Sequence, residues 1–169
     1  MAPQPLSFED EFLSLLPQLR RYARSLTRSA PESEDLLQDC VEKALVNRAA
    51  WQGTNLKAWA CRIMTNLHLN TRRFARRRPT VAIEEAEAAT MATTDDPLAR
   101  GRLLQAVESL APEARTVLML VVVEGYSYRE VADILNIPEG TVMSRLSRAR
   151  QSLRDKMRAE NIIPLRRLR

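Results

Sequence analysis

Apolar side chains recur every three or four residues along most of this chain, which is the spacing of amphipathic helices. In the first half the pattern predicts helices from Phe8 to Arg28, from about Glu32 to Asn47 and from Leu56 to about Arg77. Ser7 and Asn55 precede the first and third helices and are predicted N-caps, because their side-chain oxygens accept from free backbone amides. The apolar positions predicted along the third helix are Leu56, Trp59, Ala60, Ile63, Met64, Leu67 and Phe74.

The second half of the chain has four predicted helices. The first two run from Leu98 to Leu110 and from Pro112 to about Glu124. The third covers Ser127–Asn136 and begins with a capping box, in which Glu130 faces the N-cap serine. The fourth follows a tight turn and runs from about Glu139 towards Met157. A short helix, a tight turn and a second helix together predict a helix-turn-helix.

The stretch "PTVAIEEAEAATMATTDDPLA" between these halves has acids, no Lys or Arg, and weak periodicity. It predicts a linker at residues 79–97 between a first lobe at 8–78 and a second lobe at 98–158. Residues 159–169 form a basic tail that is predicted to be disordered, with added phosphate contacts as the alternative. The expected fold is therefore all-α, with two small helical domains joined by a flexible acidic linker.

Composition and charge narrow the function classes. Four glycines and 5% aromatic residues in 169 residues favour helix over sheet. The net charge of +5 fits nucleic acid or an acidic partner. Neither a signal peptide nor a run of ~20 apolar residues is evident. The chain is therefore predicted to be cytoplasmic, without a membrane span and with reduced thiols.

Cys40, Cys61 and His68 are the residues that would suggest metal or nucleophilic chemistry. Cys61 and His68 are seven helical residues apart, or ~10.5 Å along the axis. Zinc bonds of ~2.0–2.3 Å cannot join them on one ion, and a catalytic pair fails on the same distance. No glycine-rich phosphate loop is present either. We predict no metal, no cofactor and no enzyme activity.

The last predicted helix has a polar face that suits DNA. At 100° per residue its hydroxyl and guanidinium side chains fall within one sector, opposite Val142, Leu146 and Ala149. Arg bonds guanine edges bidentately, and Ser or Thr bonds base edges or phosphates. The alternative is an ordinary solvated basic face. The predicted DNA contacts are Thr141, Ser144, Arg145 and Arg148.

The second predicted helix has a polar face that suits a protein instead. Its acids would repel phosphates, so the face fits a basic protein surface, although a solvated helix face is the simpler alternative. The members of this acidic face are Asp35, Gln38, Asp39 and Glu42.

The loop "WQGTN" and the basic stripe after it suit single-stranded DNA. An aromatic ring stacks on an unpaired base, and amides read its Watson–Crick edge. An ordinary loop with Trp51 in the core is the alternative. The stripe on the following helix suits the junction of duplex and single strand. The predicted contacts are Trp51, Gln52, Thr54, Asn55, Arg62, Asn66, Arg72, Arg73 and Arg76.

The run "SEDLLQDCVEKAL…WQGTNLKAWACRIMTNL…RRFARRR", followed by "LAPEARTVLMLVVVEGYSYREVADILNIPEGTVMSRLSRARQSL", resembles extracytoplasmic-function (ECF) sigma factors. These are the small, two-domain branch of the sigma-70 family of bacterial RNA polymerase subunits. The resemblance spans Phe12 to Lys156. The chain departs from the family at Ala60 and Cys61, where larger apolar residues are usual.

The resemblance implies a role for each surface. The acidic face, through Asp35, Gln38 and Asp39, matches the surface that docks on the β′ clamp helices of core polymerase, whose β subunit is also a partner. The Trp51–Asn55 loop with Asn66 matches the pocket for a flipped base of the −10 element. The arginines of the third helix match the grip on the upstream edge of the bubble.

The last helix matches the reader of the −35 element in duplex promoter DNA. The acidic linker matches the strap that runs towards the RNA exit path. The family is usually restrained by an anti-sigma factor, which can hold it at the membrane, and commonly serves stress or envelope responses. This restraint implies that the lobes move about residues 79–97 and become compact only when a partner holds them. Two rival functions remain: a plain DNA-binding regulator, and a sigma mimic that sequesters an anti-sigma factor without touching DNA.

Overall fold

The computed structural model describes residues 7–53, 55–77 and 97–159. Within these ranges it contains helices and no strand. The first lobe has α1 (Phe8–Leu26), α2 (Ala30–Val46), a 3-10 turn (Arg48–Ala50) and α3 (Leu56–Arg77). The second lobe has α4 (Pro97–Glu108), α5 (Pro112–Val122), α6 (Tyr128–Leu135) and α7 (Glu139–Ala159). The all-α prediction is confirmed. The predicted linker and tail lie almost wholly outside the described residues.

The predicted N-caps are confirmed by their hydrogen bonds. The Asp10 amide donates to Ser7 Oγ at 3.1 Å, and the Ala58 amide donates to Asn55 Oδ1 at 2.9 Å. The capping box of α6 is complete, since the Ser127 amide donates to Glu130 Oε2 at 2.8 Å and the return bond is also made. Each bond satisfies an amide that the helix itself leaves without an acceptor.

Some helix boundaries differ from the prediction. α2 begins at Ala30 rather than near Glu32, because Ser29 Oγ accepts from the Glu32 amide at 3.3 Å and caps the helix earlier. α5 ends at Val122 rather than Glu124. Gly125 then adopts φ +74°, a left-handed conformation that glycine reaches without steric cost and that turns the chain towards α6.

The first lobe is a three-helix bundle around Tyr22, Leu19 and Met64, none of which is exposed. Tyr22 Oη and Thr65 Oγ1 share a hydrogen bond of 2.7 Å inside it. Ala60 and Cys61 are fully buried, and the Cys40 thiol of α2 donates to the Ala60 carbonyl at 3.5 Å.

One apolar position was predicted wrongly. Phe74 is 63% exposed, although it was assigned to the apolar stripe of α3. Among the described side chains of α3, the last buried one is His68. The helix therefore extends past the bundle. Apolar spacing that continues along a helix does not guarantee that a neighbouring helix is present to bury each apolar side chain.

The second lobe is built around α5. Its residues Arg115–Leu120 are all buried, because α6 and α7 pack against it and α1 and α3 of the first lobe contact it as well. Val142 and Leu146 form the buried side of α7, as the helical pattern predicts. This leaves the opposite side of α7 available for another contact.

The two lobes contact each other directly. α5 packs against α1 and α3, and α6 packs against α3. The expectation that the lobes become compact only in the grip of a partner does not match this structure. Paired polar groups at the interface hold the lobes in contact. The pattern of apolar positions along the chain does not reveal such pairs.

Candidate nucleic-acid interface

The acidic face of α2 lies on the surface, as predicted. All four of its side chains are exposed, while Leu36, Leu37 and Cys40 on the opposite side are buried. Gln38 Nε2 donates to Glu42 Oε1 at 3.1 Å, one helical turn away. The helix therefore exposes three carboxylates and one side-chain amide on the side opposite the core of the first lobe.

In the Trp51–Asn55 loop, the ring of Trp51 is held by aromatic packing and the side-chain amides are exposed. The Trp51 ring lies 5.7 Å from the ring of Trp59, which in turn makes an edge contact with Phe8. Gly53 has φ +77°, so the loop turns where a side chain would strain it. Trp51 is half-buried, and Gln52 and Asn55 are exposed.

Two interpretations of the loop were open: a loop that captures an unpaired base, and an ordinary loop with Trp51 in the core. The geometry agrees in part with each. Trp51 packs on the edge of the aromatic cluster, yet it also lines an open pocket of about 520 Å³ together with Asn55 and Arg62. The side-chain oxygen Oδ1 of Asn55 already accepts from the Ala58 amide in the N-cap of α3. Thr54 lies outside the described residues.

The predicted DNA contacts on α3 do not share one surface. Arg62, Asn66 and Arg73, which belong to the predicted stripe, are exposed. Arg72 is half-buried and instead lines a pocket of about 560 Å³ between the lobes, beside His68. The Arg76 side chain lies outside the described part of the structure.

The polar face of α7 has the predicted orientation. Ser144 and Arg148 are exposed, and Thr141 and Arg145 are half-buried. The Ser144 hydroxyl donates to the Thr141 carbonyl at 3.1 Å, which leaves its oxygen free to accept from a nucleic acid. The arrangement offers hydroxyls and guanidiniums on one side of a helix whose other side is held by its own lobe.

The fold brings predicted DNA-contacting residues of both lobes together. Arg73 of α3 lines the same groove, of about 420 Å³, as Arg145 and Arg148 of α7. On the other side of the interface, Glu130 and Asp133 of α6 line the pocket of the Trp51–Asn55 loop. The sequence pattern predicted each surface but not these proximities.

Arg115 is an interface residue that the sequence analysis missed. Its side chain is 7% exposed, and it donates from Nε to the Ser25 carbonyl at 3.0 Å and from Nη2 to the Thr27 carbonyl at 2.9 Å. Burial lowers the pKa of this guanidinium to about 10, so it stays charged at neutral pH. A lone arginine at the start of the apolar run "TVLMLVVV" was the available signal.

An ion pair also joins the lobes, and it too was missed. Lys57 Nζ lies 2.9 Å from Glu124 Oε2, and Arg21 Nη2 lies 3.5 Å from Glu124 Oε1. The Glu124 side chain has no exposed surface. The Lys57 ammonium also lies 5.2 Å from the centre of the Tyr126 ring, within cation–π range.

His68, Cys40 and Cys61, the residues considered for metal or nucleophilic chemistry, are buried and neutral. Burial, followed by the charges of Arg72 and Arg115, lowers the pKa of His68 to about 4. Burial raises the pKa of the Cys40 and Cys61 thiols to about 12. Neutral thiols are poor nucleophiles and poor metal ligands.

Within the described ranges, no group of three or more His, Cys, Asp or Glu side chains is arranged to hold a metal ion. No helix in the same ranges is both long and apolar enough to span a bilayer.

Comparison with known proteins identifies both lobes. The family model for sigma-70 region 2 matches residues 12–78, and that for sigma-70 region 4 matches residues 100–153. The chain is 33% identical over 154 residues to the ECF RNA polymerase sigma factor EcfG of Rhodopseudomonas palustris, covering 87% of this chain and 83% of that protein. It is 30% identical over 153 residues to the RNA polymerase sigma factor CarQ of Myxococcus xanthus, covering 88% of each.

A solved structure supports the same assignment. The sigma factor RpoE, determined in complex with the anti-sigma factor NepR from Bartonella quintana, superposes with a TM-score of 0.73 at 30% identity, covering 90% of this chain and 98% of that one. Two family models in the right order, relatives aligned over most of both chains and a shared two-lobe fold agree. This chain therefore belongs to the ECF branch of the sigma-70 family, the transcription initiation factors of bacterial RNA polymerase.

Proposed function

We propose that this protein directs core RNA polymerase to promoters with a −35 and a −10 element and starts transcription there. The acidic face of α2 docks on the β′ clamp helices. The reading face of α7, formed by Thr141, Ser144, Arg145 and Arg148, enters the major groove at −35. The second lobe also contacts the β subunit.

The first lobe opens the promoter in this proposal. The Trp51–Asn55 loop, with Asn66, captures a flipped base of the −10 strand. Arg62, Arg73 and their neighbours hold the upstream edge of the bubble. Unstacking a base costs a few kcal/mol, and capture in a preformed pocket offsets part of that cost.

The observation that carries the proposal is the orientation of α7 within a matched region 4. Val142 and Leu146 are buried while Ser144 and Arg148 are exposed, so the helix offers its polar side outward. Such a helix in a helix-turn-helix is the usual reader of a major groove. The bundle before it supplies separate surfaces for polymerase and for a single strand.

An anti-sigma factor is the proposed control. The similar RpoE chain was determined bound to the anti-sigma factor NepR, which supports the same class of partner here. We place its action in the cytoplasm, where a membrane-anchored form of such a partner would hold the chain at the membrane, and its target genes among stress or envelope responses.

Transcription with purified core polymerase tests the proposal. Genomic DNA fragments are transcribed with and without this protein, and the 5′ ends of the transcripts are mapped. We expect new start sites, preceded by a shared −35/−10 pair, only when the protein is present. A plain regulator would bind DNA without core polymerase but would create no such start sites. A sigma mimic would not bind DNA and would create no start sites.

A further inference from the structure

A pocket of about 560 Å³ between the lobes has a basic lining. Its volume is within the range of ~300–1,000 Å³ that is usual for small-molecule sites. Among the described residues that line it, three guanidiniums face one carboxylate, which leaves two positive charges over. The charged and polar side chains of the lining are Arg28, His68, Arg72, Glu108, Ser109 and Arg115.

The Arg115 guanidinium is fixed at the wall of this pocket. It is buried, and it donates from Nε to the Ser25 carbonyl at 3.0 Å and from Nη2 to the Thr27 carbonyl at 2.9 Å. A cation held in this way needs no rearrangement to meet an anion, so the ordering cost of binding is already met by the fold.

The cations around the pocket act on one another. Burial lowers the pKa of the Arg115 guanidinium to about 10. Among the nearby charges, those of Glu108 and Glu32 raise this pKa, whereas those of Arg72 and Arg28 lower it. The guanidiniums are thus close enough to repel each other, and an anion placed among them would replace that repulsion with attraction.

The start of α5 adds to the positive field. Ala111 and Pro112 line the pocket, and Ala111 is an N-cap that makes no side-chain hydrogen bond to the first turn. Glu113, the acid of that turn, lines the neighbouring groove instead. A helix N-terminus carries a partial positive charge and amides that bind phosphate, so it acts in the same direction as the arginines.

The chemistry of the lining matches a phosphorylated small molecule. Guanidiniums bond phosphate oxygens bidentately, and two surplus charges suit two adjacent phosphates better than one carboxylate. The pocket is also larger than these phosphates need, and Leu26, Ala75 and Leu110 give it an apolar side. That side can hold the uncharged part of a ligand.

We propose that this pocket binds a small molecule with a diphosphate group, of the class of the nucleoside diphosphates. The diphosphate lies among Arg28, Arg72 and Arg115 at the start of α5, and the remainder of the ligand lies against the apolar side. This site does not depend on the proposed function, because binding is measured without polymerase or DNA.

Isothermal titration calorimetry of the full chain tests the site, with inorganic pyrophosphate and GDP as probes and sulfate at equal ionic strength as the reference anion. Arg72→Gln should weaken binding of both probes by roughly ten- to a hundredfold, because a charged hydrogen-bond donor is lost. Arg62→Gln is the matched control, since Arg62 is an exposed arginine of the same helix that lines a different pocket. It should bind both probes as wild type does.

Glu108→Gln tests the sign of the interaction. It removes the carboxylate of the lining, so both probes should bind several-fold more tightly than to wild type. A variant that merely damaged the pocket would bind them more weakly. This variant also decides the question if Arg72→Gln fails to fold by circular dichroism.

His68 shows where the probes bind. It lines the pocket and is the only histidine of the chain, so its ring-proton NMR signals report on this place. Pyrophosphate should shift these signals over the same concentration range that calorimetry gives. Burial, and then the charges of Arg72 and Arg115, lower the pKa of His68 to about 4, and the bound anion should raise it by offsetting those charges.

Tighter binding of GDP than of pyrophosphate would support a nucleotide, and equal affinities would support recognition of the diphosphate alone. Sulfate binding as tight as either probe, or equal losses in Arg72→Gln and Arg62→Gln, would reduce the site to general attraction of anions and overturn the proposal. So would heat of binding without any shift of the His68 signals. If neither probe binds wild type while Arg72→Gln binds a −10 oligonucleotide more weakly, Arg72 serves DNA and the site is refuted.

Discussion

Lys57 Nζ lies 2.9 Å from Glu124 Oε2, and this contact joins the first turn of α3 to the segment that follows α5. The Glu124 side chain is wholly buried there, whereas the Lys57 side chain keeps 24% of its surface. The pair thus connects the loop proposed to open the promoter with the lobe proposed to read its upstream element. Because the pair joins the two lobes, substitutions at Lys57 or Glu124 should change how the lobes contact each other.

Asp39→Arg should greatly weaken binding to core polymerase, because it places a cation on the acidic face proposed to meet a basic surface of β′. Folding should be unaffected, since Asp39 is exposed. Fluorescence anisotropy of labelled protein against core polymerase measures the effect. Asp155→Arg, an identical change at an exposed position of the second lobe, should bind core as wild type does. Equal loss in both variants would contradict docking through α2.

Arg148→Ala should weaken binding of duplex −35 DNA by ~1–3 kcal/mol if the guanidinium bonds a base edge bidentately. Arg148→Lys should recover only the charge, because an ammonium lacks the planar fork of donors. Arg150→Ala is the matched control, since Arg150 is exposed on the same helix but points away from the reading face. Mobility shifts with duplexes mutated at single positions measure both affinity and specificity. Identical losses for Arg148→Ala and Arg150→Ala would indicate phosphate attraction alone.

Arg115→Ala should lower the free energy of unfolding by at least about 2 kcal/mol, because hydrogen bonds from a charged donor to the Ser25 and Thr27 carbonyls are lost. Urea unfolding followed by circular dichroism measures the change. Arg129→Ala removes an exposed arginine from α6 and should change stability very little. A small effect of Arg115→Ala would mean that the buried guanidinium is not stabilising.

His68 should make the protein less stable in mild acid. Its pKa is about 4 in the folded chain, because of burial and then of Arg72 and Arg115, against about 6.5 when unfolded. Above pH 6.5 the imidazole is neutral in both states and this term is constant. Between about pH 6.5 and 4 only the unfolded chain binds the proton, so the free energy of unfolding falls, by at most about 3 kcal/mol.

The measurement is urea unfolding of wild type and His68→Gln at several pH values. In His68→Gln, the free energy of unfolding should not fall between about pH 6.5 and the pH at which the carboxylates begin to titrate. His68 is the only histidine, so its ring protons also give one NMR titration curve. A midpoint near pH 6.5 in the folded protein would show that the imidazole is not buried as described.

The local elements were predictable because short-range physics decides them. Each cap, at Ser7, Asn55 and Ser127, forms when a side-chain oxygen accepts from a backbone amide only three residues further along the chain. The amino-acid sequence is therefore sufficient to predict these caps. The polar side of α7 follows from helical periodicity alone. Phe74 was misjudged because periodicity states which side of a helix is apolar but not where the neighbouring helix ends.

The sequence by itself determined the helices, their two groups, the separate basic and acidic surfaces and the family that carries them. Only the tertiary structure decided that Arg72 turns into the gap between the lobes, that Arg115 bonds the end of α1 and that Glu124 is buried against Lys57. These contacts join residues far apart in the chain. Their energy comes from the loss of water around charged groups, which depends on what surrounds each group in the folded protein rather than on its sequence neighbours.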